Sequence, residues 1–250
     1  MPTINENSLS KLLAAGVVLR KVEPDIYSVL PSNEVGNTYD NKFGFFYDLV
    51  ACNPIYNRLI WGYSTSKFET LVDNALKKKH QGIILDVGCG SLAFSAKTYC
   101  LFSDKPVVLL DQSLKLLRIA KSRLVKLNGK VPDNLIFLHA DAMQLPFLHN
   151  TFNTIIALNL LHVLDDIHIL LNNLKNIVTE DGKMLFTTLI KGKRLADKYL
   201  KVWEDAGEVV ARDMECLQSI FNELHIPITY EIDGNMTFIN CISGINNKLE

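Results

Sequence analysis

The chain has 250 residues, of which 48% are hydrophobic, and its 26 basic and 27 acidic side chains give a formal net charge of −1. This length can bury one substantial core, whereas the balanced charge offers no basic surface for a long phosphate backbone, so nucleic acid is not expected as a partner. The five cysteines lack both C-x-x-C spacing and histidines at zinc-site intervals, which predicts reduced thiols, a cytoplasmic protein and no metal site.

The first 80 residues are predicted to form a helical cap that precedes the main sheet. Its apolar run at residues 12–19 is too short to span a membrane and lacks a cleavage site, so we expect a short helix or strand and no membrane span. Aromatic side chains are concentrated at residues 39–63. An amphipathic helix then follows from apolar residues that recur every three or four positions, namely Phe68, Leu71, Val72, Ala75 and Leu76.

An apolar run that ends in an acid and two spaced glycines occupies residues 83–90. Glycine has no Cβ, so the backbone at Gly88 and Gly90 can adopt unusual dihedrals and approach a ligand closely, while Asp86 can accept hydrogen bonds. This pattern predicts a strand followed by a turn that cradles a nucleotide. The same residues also satisfy G-x-G-x-x-G/A, so at this point a nicotinamide cofactor and a methyl donor are both open.

Alternating strand and helix patterns follow. Residues 107–111 form a buried strand that ends in Asp111, where folds of this kind present a carboxylate to a ribose diol. Further strands are predicted at residues 135–139 and 154–159, and Asp181-Gly182 is predicted to turn the chain into a strand at 183–189. Helical stripes lie between the strands, with the first at Leu117, Ala120, Leu124 and Leu127, and the second, capped by Asp165 or Asp166, at Ile167, Leu170, Leu171, Leu174 and Ile177. Right-handed strand-helix-strand units predict a doubly wound parallel sheet.

The last part of the chain is predicted to change from helix to hairpin. A helical stripe at Leu217, Ile220, Phe221 and Leu224 precedes two β-prone runs, at residues 228–232 and 236–243. Asp233-Gly234 lies between these runs and is a strong hairpin signal. The last two strands are therefore expected to be antiparallel neighbours.

Four ordered segments, at residues 85–90, 111, 140–147 and 152–164, resemble those of class I S-adenosylmethionine (AdoMet) methyltransferases. The likeness is strongest to the branch that includes quinone-biosynthesis and other small-molecule enzymes of the methyltransferase type 11 domain, and it covers about residues 80–190. It implies an α/β, Rossmann-like, doubly wound sheet of seven mostly parallel strands, with a C-terminal antiparallel hairpin. The implied division is a helical cap or lid at 1–80 and an AdoMet-binding core at 81–250. Ser91-Leu92 stands where the family usually continues with glycine.

The resemblance implies a set of contacts with AdoMet, whose spent form is S-adenosylhomocysteine. Asp111 would accept from the ribose hydroxyls, Asp141 from the adenine amino group, and Asp86 would support the turn or the donor's amino group. Tyr39 would approach the donor's carboxylate, and Asn159 could orient the donor. The whole set of expected cofactor residues is Tyr39, Asp86, Gly88, Cys89, Gly90, Asp111, Gln112, Leu116, Asp141, Ala142 and Asn159.

The expected reaction is transfer of a methyl group to a small molecule with a quinone-like, phenolic, amine or lipid character. His162 is the candidate general base, because histidine titrates in the range needed to take a proton from an acceptor, and Tyr47 is a candidate for acceptor contact. Adjacent aspartates before a helix are explained as caps, so no metal is expected from the group around His162. A non-catalytic AdoMet-binding scaffold or activator, and a protein or tRNA methyltransferase, are the alternatives. The sequence does not indicate the oligomeric state.

Overall fold

The computed structural model describes residues 3–31, 53–77, 82–102, 104–192 and 196–242. The strands are β1 (Arg20–Glu23), β2 (Ile26–Ser28), β3 (Ile84–Val87), β4 (Val107–Asp111), β5 (Leu135–His139), β6 (Phe152–Leu158), β7 (Val178–Leu189), β8 (Ile228–Asp233) and β9 (Met236–Ile242). The helices are α1 (Glu6–Ser10), α2 (Pro54–Tyr56), α3 (Ser66–Lys77), α4 (Ala96–Leu101), α5 (Leu114–Asn128), α6 (Ile167–Ile177), α7 (Ala196–Asp205) and α8 (Met214–Glu223). A π-helical turn, Asn57–Trp61, continues α2, and a 3-10 turn, Leu161–Val163, follows β6.

The strands in these ranges form one sheet in the order β1-β2-β5-β4-β3-β6-β7-β9-β8. Strands β5, β4, β3, β6 and β7 are parallel neighbours, whereas β9 is antiparallel to both β7 and β8. The chain reverses its direction across the sheet after β5, so β3 and β6 lie side by side at the switch point where such sheets bind ligands. The predicted α/β, Rossmann-like class with a C-terminal antiparallel hairpin is confirmed.

The sheet has two strands more than the predicted seven, and both come from the N-terminal segment. β1 and β2 form an antiparallel hairpin, and β2 pairs in parallel with β5. All three residues of β2 are buried, and its pairing covers the backbone edge that β5 would otherwise expose. The N-terminal segment is therefore not helical throughout. The predicted domain boundary at residue 80 lies outside the described residues.

Strand β7 begins earlier than predicted. It follows α6 directly at Val178, and the predicted turn at Asp181-Gly182 is an irregularity within the strand. The pairing with β6 shifts there, from Phe152 opposite Val178 to Thr154 opposite Lys183. A turn signal in the sequence does not distinguish a bulged strand from a loop, since glycine is frequent in both.

Apolar side chains fill the space on both faces of the sheet, as the helical stripes predicted. On one face the strands pack against α6 and α8, and on the other against α3, α4 and α5. All five stripe residues of α6 are buried, whereas Leu127, in the last turn of α5, is 53% exposed. No helix in the described ranges combines the length and the apolar character needed to cross a bilayer.

Candidate functional site

The turn after β3 lies at the centre of the carboxyl edge of the sheet. Gly88 has φ 66° and Gly90 has φ 55°, both in the left-handed region that favours glycine. A Cβ on Gly88 would lie 2.9 Å from Leu160 Cδ1, so the loop after β6 closes against this glycine. A Cβ on Gly90 would meet nothing within 4 Å. The backbone at Gly90 therefore faces open space that a ligand can occupy.

Asp111, the last residue of β4, holds this turn from the neighbouring strand. Its Oδ2 accepts from the Gly90 N–H and its Oδ1 accepts from the Ser113 N–H, each at 2.8 Å. The side chain is buried. Asp111 therefore fixes the turn to the start of α5.

Asp86, near the end of β3, is a buried carboxyl group with one oxygen unsatisfied. The Tyr99 hydroxyl donates to Asp86 Oδ2 at 2.8 Å, while no hydrogen-bond partner for Asp86 Oδ1 exists among the described residues. Burial raises the pKa of Asp86 to about 7, with a smaller contribution from the negative charge of Asp111 and opposed by the Tyr99 hydrogen bond. Near neutral pH, this carboxyl group is poised between its two protonation states.

The residues expected near the adenosine lie on two adjacent loops. The Ala140 N–H donates to the Asp111 carbonyl at 3.2 Å, which holds the loop after β5 beside the end of β4. Asp141 Oδ1 accepts from the Met143 N–H at 2.8 Å, and Ala142 between them is half-buried. This bond forms an Asx turn, the local role that aspartate often has in loops.

Two further adenosine candidates, Gln112 and Leu116, flank the start of α5. Gln112 is exposed, and its carbonyl lies 3.1 Å from His139 Nε2. The Leu116 N–H donates to Ser113 Oγ at 3.2 Å, which caps the helix, and the Leu116 side chain is half-buried. Cys89, within the glycine turn, donates its N–H to the Leu110 carbonyl at 2.9 Å. The structure therefore brings the expected cofactor residues in the described ranges to one edge of the sheet.

Asn159 directly follows β6 and has a left-handed backbone, with φ 56°. Asparagine tolerates this conformation better than most residues. Its N–H donates to the carbonyl and to Oγ1 of Thr187, each at 2.9 Å, and Thr187 Oγ1 lies 3.2 Å from Asn159 Oδ1. Residue 159 is thus fixed to β7, which positions the next residue, Leu160, against Gly88.

His162 is buried in the 3-10 turn after β6, with 2% of its surface exposed. Its Nδ1 accepts from the Leu189 N–H at 3.2 Å and lies 3.1 Å from Thr188 Oγ1. Burial, with a contribution from the positive charge of Arg212, lowers the pKa of His162 to about 4. Because Nδ1 accepts, the neutral ring carries its proton on Nε2 and has no free lone pair. This geometry argues against the general-base prediction. Tyr39 and Tyr47 lie outside the described residues.

Arg212 holds the loop after β6, a contact that was not predicted from the sequence. Its guanidinium donates to the carbonyls of Leu161 and Leu164, each at 2.9 Å, and to that of Asp165 at 2.7 Å. The loop after β6 is therefore fastened from a segment about 50 residues later. Every residue has a backbone carbonyl, so the three acceptors of Arg212 cannot be recognised from the amino-acid sequence.

Comparison with known proteins agrees with this architecture. A family model described as a methyltransferase domain matches residues 84–182. An uncharacterised protein of Methanocaldococcus jannaschii is 28% identical over 192 residues, which cover 72% of this chain and 68% of that protein.

Two solved structures have the same fold. A SAM-dependent methyltransferase from Aquifex aeolicus aligns with TM-score 0.60 and 15% identity, over 79% of this chain and 97% of that one. A phosphoethanolamine N-methyltransferase from Haemonchus contortus, in complex with phosphomonomethylethanolamine and S-adenosylhomocysteine, aligns with TM-score 0.63 and 14% identity, over 83% of this chain and 58% of that one. At these identities the two structures establish the fold alone. The family match at residues 84–182 and the strand order both agree with the ordered motifs, so this part of the chain is similar to the methyltransferase domain.

Proposed function

We propose that this enzyme transfers the methyl group of AdoMet to a small, largely apolar acceptor of quinone-like, phenolic, amine or lipid character. The observation that supports this acceptor class is an aromatic cluster formed by the buried residues Trp61, Tyr63, Phe68, Ala196, Leu200, Val209, Ala211, Met236 and Phe238. Leu158 and Leu189, the last residues of β6 and β7, pack against it. An acceptor beside Asn159 would therefore meet the half-buried, apolar side chains of Leu158 and Leu189.

The aromatic cluster also reaches the cofactor turn. Phe94, four residues after Gly90, stacks on Phe68 with ring centroids 4.6 Å apart, and the Tyr63 ring meets Phe68 edge-on at 5.7 Å. An acceptor site bounded by this cluster would lie between the donor and the N-terminal segment. Such a position would exclude water from the transfer, and aromatic faces attract sulfonium and ammonium groups.

The residues present fit AdoMet in two respects. The space beside Gly90 is open, and Asp86 has one oxygen without a partner among the described residues. We propose that Asp111 accepts from the ribose hydroxyls, and that Asp141, with the backbone of Ala142 nearby, accepts from the adenine amino group.

AdoMet supplies an activated methyl group, so the protein's task is to align the two reactants. Few side chains need to take part in covalent chemistry. We propose that His162 supports the loop that carries Asn159. We also propose that Tyr39 contacts the donor and that Tyr47 contacts the acceptor. A cytoplasmic location is a further proposal.

A direct test combines calorimetry with a turnover assay. AdoMet and S-adenosylhomocysteine should bind, NADH should not, and a panel of phenols, quinols, amines and lipids should include an acceptor that yields S-adenosylhomocysteine. Binding of NADH in place of AdoMet would overturn the proposal. Donor binding without turnover on any member of the panel would favour the scaffold or activator alternative.

The open space beside Gly90 predicts that a methyl group added at this position weakens AdoMet binding. Gly90 and Gly129 both have positive φ, of 55° and 78°, and neither has an atom within 4 Å of a built Cβ. Gly90→Ala and Gly129→Ala should each lower the free energy of unfolding by about 1 kcal/mol, through left-handed strain. Only Gly90→Ala should also weaken AdoMet binding, by about tenfold, because its Cβ enters the space that the donor needs. Equal AdoMet affinity in the two variants would place the donor elsewhere.

Asp111→Asn should weaken AdoMet binding by about tenfold, since hydrogen bonds to a charged group are lost. Asp166→Asn is a matched control, because Asp166 also accepts from backbone N–H groups, those of His168 and Ile169, but caps α6. Calorimetric titration of both variants checks the prediction. An unchanged dissociation constant in Asp111→Asn would remove this residue from the donor site.

A further inference from the structure

A tyrosine and a carboxyl group form a buried pair behind the glycine turn. Tyr99, on α4, has no exposed surface, and Asp86, on β3, is 1% exposed. The Tyr99 hydroxyl donates to Asp86 Oδ2 at 2.8 Å. The pair therefore joins the first helix after the turn to the strand before it.

One oxygen of the Tyr99–Asp86 pair has no hydrogen-bond partner among the described residues. Buried polar groups are normally satisfied, and each exception calls for an explanation. The Tyr99 hydroxyl satisfies one oxygen of Asp86, whereas Asp86 Oδ1 has no partner among the described residues. Asp86 is two residues before Gly88, next to the turn where the donor is expected. A ligand N–H group would complete the hydrogen bonding.

We propose that Tyr99 is a positioning residue for the donor: its hydroxyl holds one oxygen of Asp86 and leaves the other to accept from the ammonium group of the donor's amino-acid part. This inference rests on the proposed function. It assigns Tyr99 a role through Asp86, without contact with the donor itself.

The charges around Asp86 make its ionised fraction, and therefore the expected affinity for AdoMet, depend on pH near neutrality. The titratable groups that face it are Tyr99 from α4, Asp111 from β4 and Cys89 from the turn. Burial is the largest cause that raises the pKa values of Tyr99 and Cys89 well above their usual range, so both stay neutral near pH 7. Burial and Asp111 raise the pKa of Asp86 to about 7, and the Tyr99 hydrogen bond lowers it. Tyr99 therefore increases the fraction of Asp86 that is ionised and ready for a cation.

The test is calorimetric titration of AdoMet into wild type and Tyr99→Phe between pH 6 and pH 8.5. Loss of the hydroxyl should raise the pKa of Asp86 above about 7, so apparent affinity at pH 7 should fall about fivefold, and the difference should shrink to less than about twofold at pH 8.5, where the carboxyl group is mostly ionised in both proteins. A merely structural role would instead weaken binding equally at every pH, and that result would overturn the inference.

Two variants isolate the effect. Tyr27→Phe is a matched control, because Tyr27 on β2 is also buried and its hydroxyl also donates to a carboxyl group, that of Glu6, while two strands of the sheet separate β2 from β3. It should leave the pH midpoint of AdoMet binding unchanged, and a shift equal to that of Tyr99→Phe would overturn the inference. In Asp86→Asn the side chain does not titrate, so any remaining pH dependence of AdoMet binding reports the donor's own α-amino group, which titrates in the same pH range.

Failure of the inference and failure of the proposed function give different results. A wild type that binds no AdoMet at any pH overturns the proposed function and the inference with it. A wild type that binds AdoMet, with an unchanged profile in Tyr99→Phe, overturns the inference alone. If Tyr99→Phe does not fold, carbon NMR of the wild-type Asp86 carboxyl decides: its titration should move below pH 7 when S-adenosylhomocysteine binds, and an unmoved titration overturns the inference.

Discussion

Relative to wild type, the free energy of unfolding of Asp86→Asn is expected to rise by on the order of 4 kcal/mol between pH 4 and pH 8. The physical reason is the burial of the Asp86 carboxyl group, whose pKa is raised from 3.8 to about 7. Between these two values the folded protein holds a proton that the unfolded chain has released. Wild type therefore loses stability as the pH rises through this range, whereas an asparagine has no proton to lose.

Urea unfolding of both proteins at several pH values measures this difference. The pH dependence of the difference is the decisive quantity, because the buried amide of the asparagine adds a constant cost of its own at every pH. Asp133→Asn is a suitable control, since Asp133 is an exposed carboxylate paired with Lys130 at 2.8 Å. A difference between wild type and Asp86→Asn that stays constant with pH would contradict the burial argument.

The same variant should bind AdoMet more weakly than wild type, which would make Asp86 a residue that trades stability for ligand binding. An ionised carboxylate without a partner on one oxygen is unfavourable in the free protein. A bound cation supplies the missing partner, and ligand binding to the folded state alone raises stability. A variant that loses less stability as the pH rises to 8 but binds less well is the expected result of removing such a group.

The parts of the site that the sequence predicted are those with local signals. The apolar strand, Asp86 and the two glycines lie within eight residues at 83–90, and the structure places them at the carboxyl edge. Asp111 ends β4 as predicted, because an apolar run followed by an acid marks the end of a buried strand. The helical stripes and the Asp233-Gly234 hairpin likewise depend on periodicity and turn chemistry over short distances.

The features that the sequence did not predict depend on contacts between distant residues. Strand β2 is only three residues long, and it forms because it pairs with β5, more than 100 residues later. Arg212 binds carbonyls that any sequence would present. The bond between Tyr99 and Asp86 joins a helix and a strand whose patterns indicate only burial. Periodicity gives the face that a residue occupies, but not its polar partner.

The burial of His162 was likewise not predicted from the sequence. It should have a large effect on the free energy of unfolding at acid pH. Wild type should lose about 3 kcal/mol of stability between pH 6.5 and pH 4 through this residue alone. The pKa of His162 is lowered from 6.5 to about 4 by burial and by Arg212. In this range the unfolded chain binds a proton that the folded protein excludes, so the contribution of His162 is complete above pH 6.5 and is lost as the pH falls.

His162→Asn isolates this contribution, because the asparagine Oδ1 can replace Nδ1 as the acceptor of the Leu189 N–H. The variant should lose less stability than wild type between pH 6.5 and pH 4, as measured by urea unfolding. Carboxylates also titrate in this range, but they do so equally in both proteins and cancel in the comparison. His149→Asn, at an exposed histidine, is the control, and an acid dependence in His162→Asn equal to that of wild type would contradict the argument.

The same variant separates the two roles that have been considered for His162. Loss of a general base should lower kcat by roughly 10²- to 10⁴-fold and remove a titration from the pH–rate profile. A residue that only supports the loop after β6 should leave the shape of that profile unchanged, because the ring is neutral throughout the physiological range. The buried Nδ1, which accepts from the Leu189 N–H, favours the second outcome. Transfer to the acceptor would then depend on alignment in the site, with any acceptor proton leaving by a route that does not include His162.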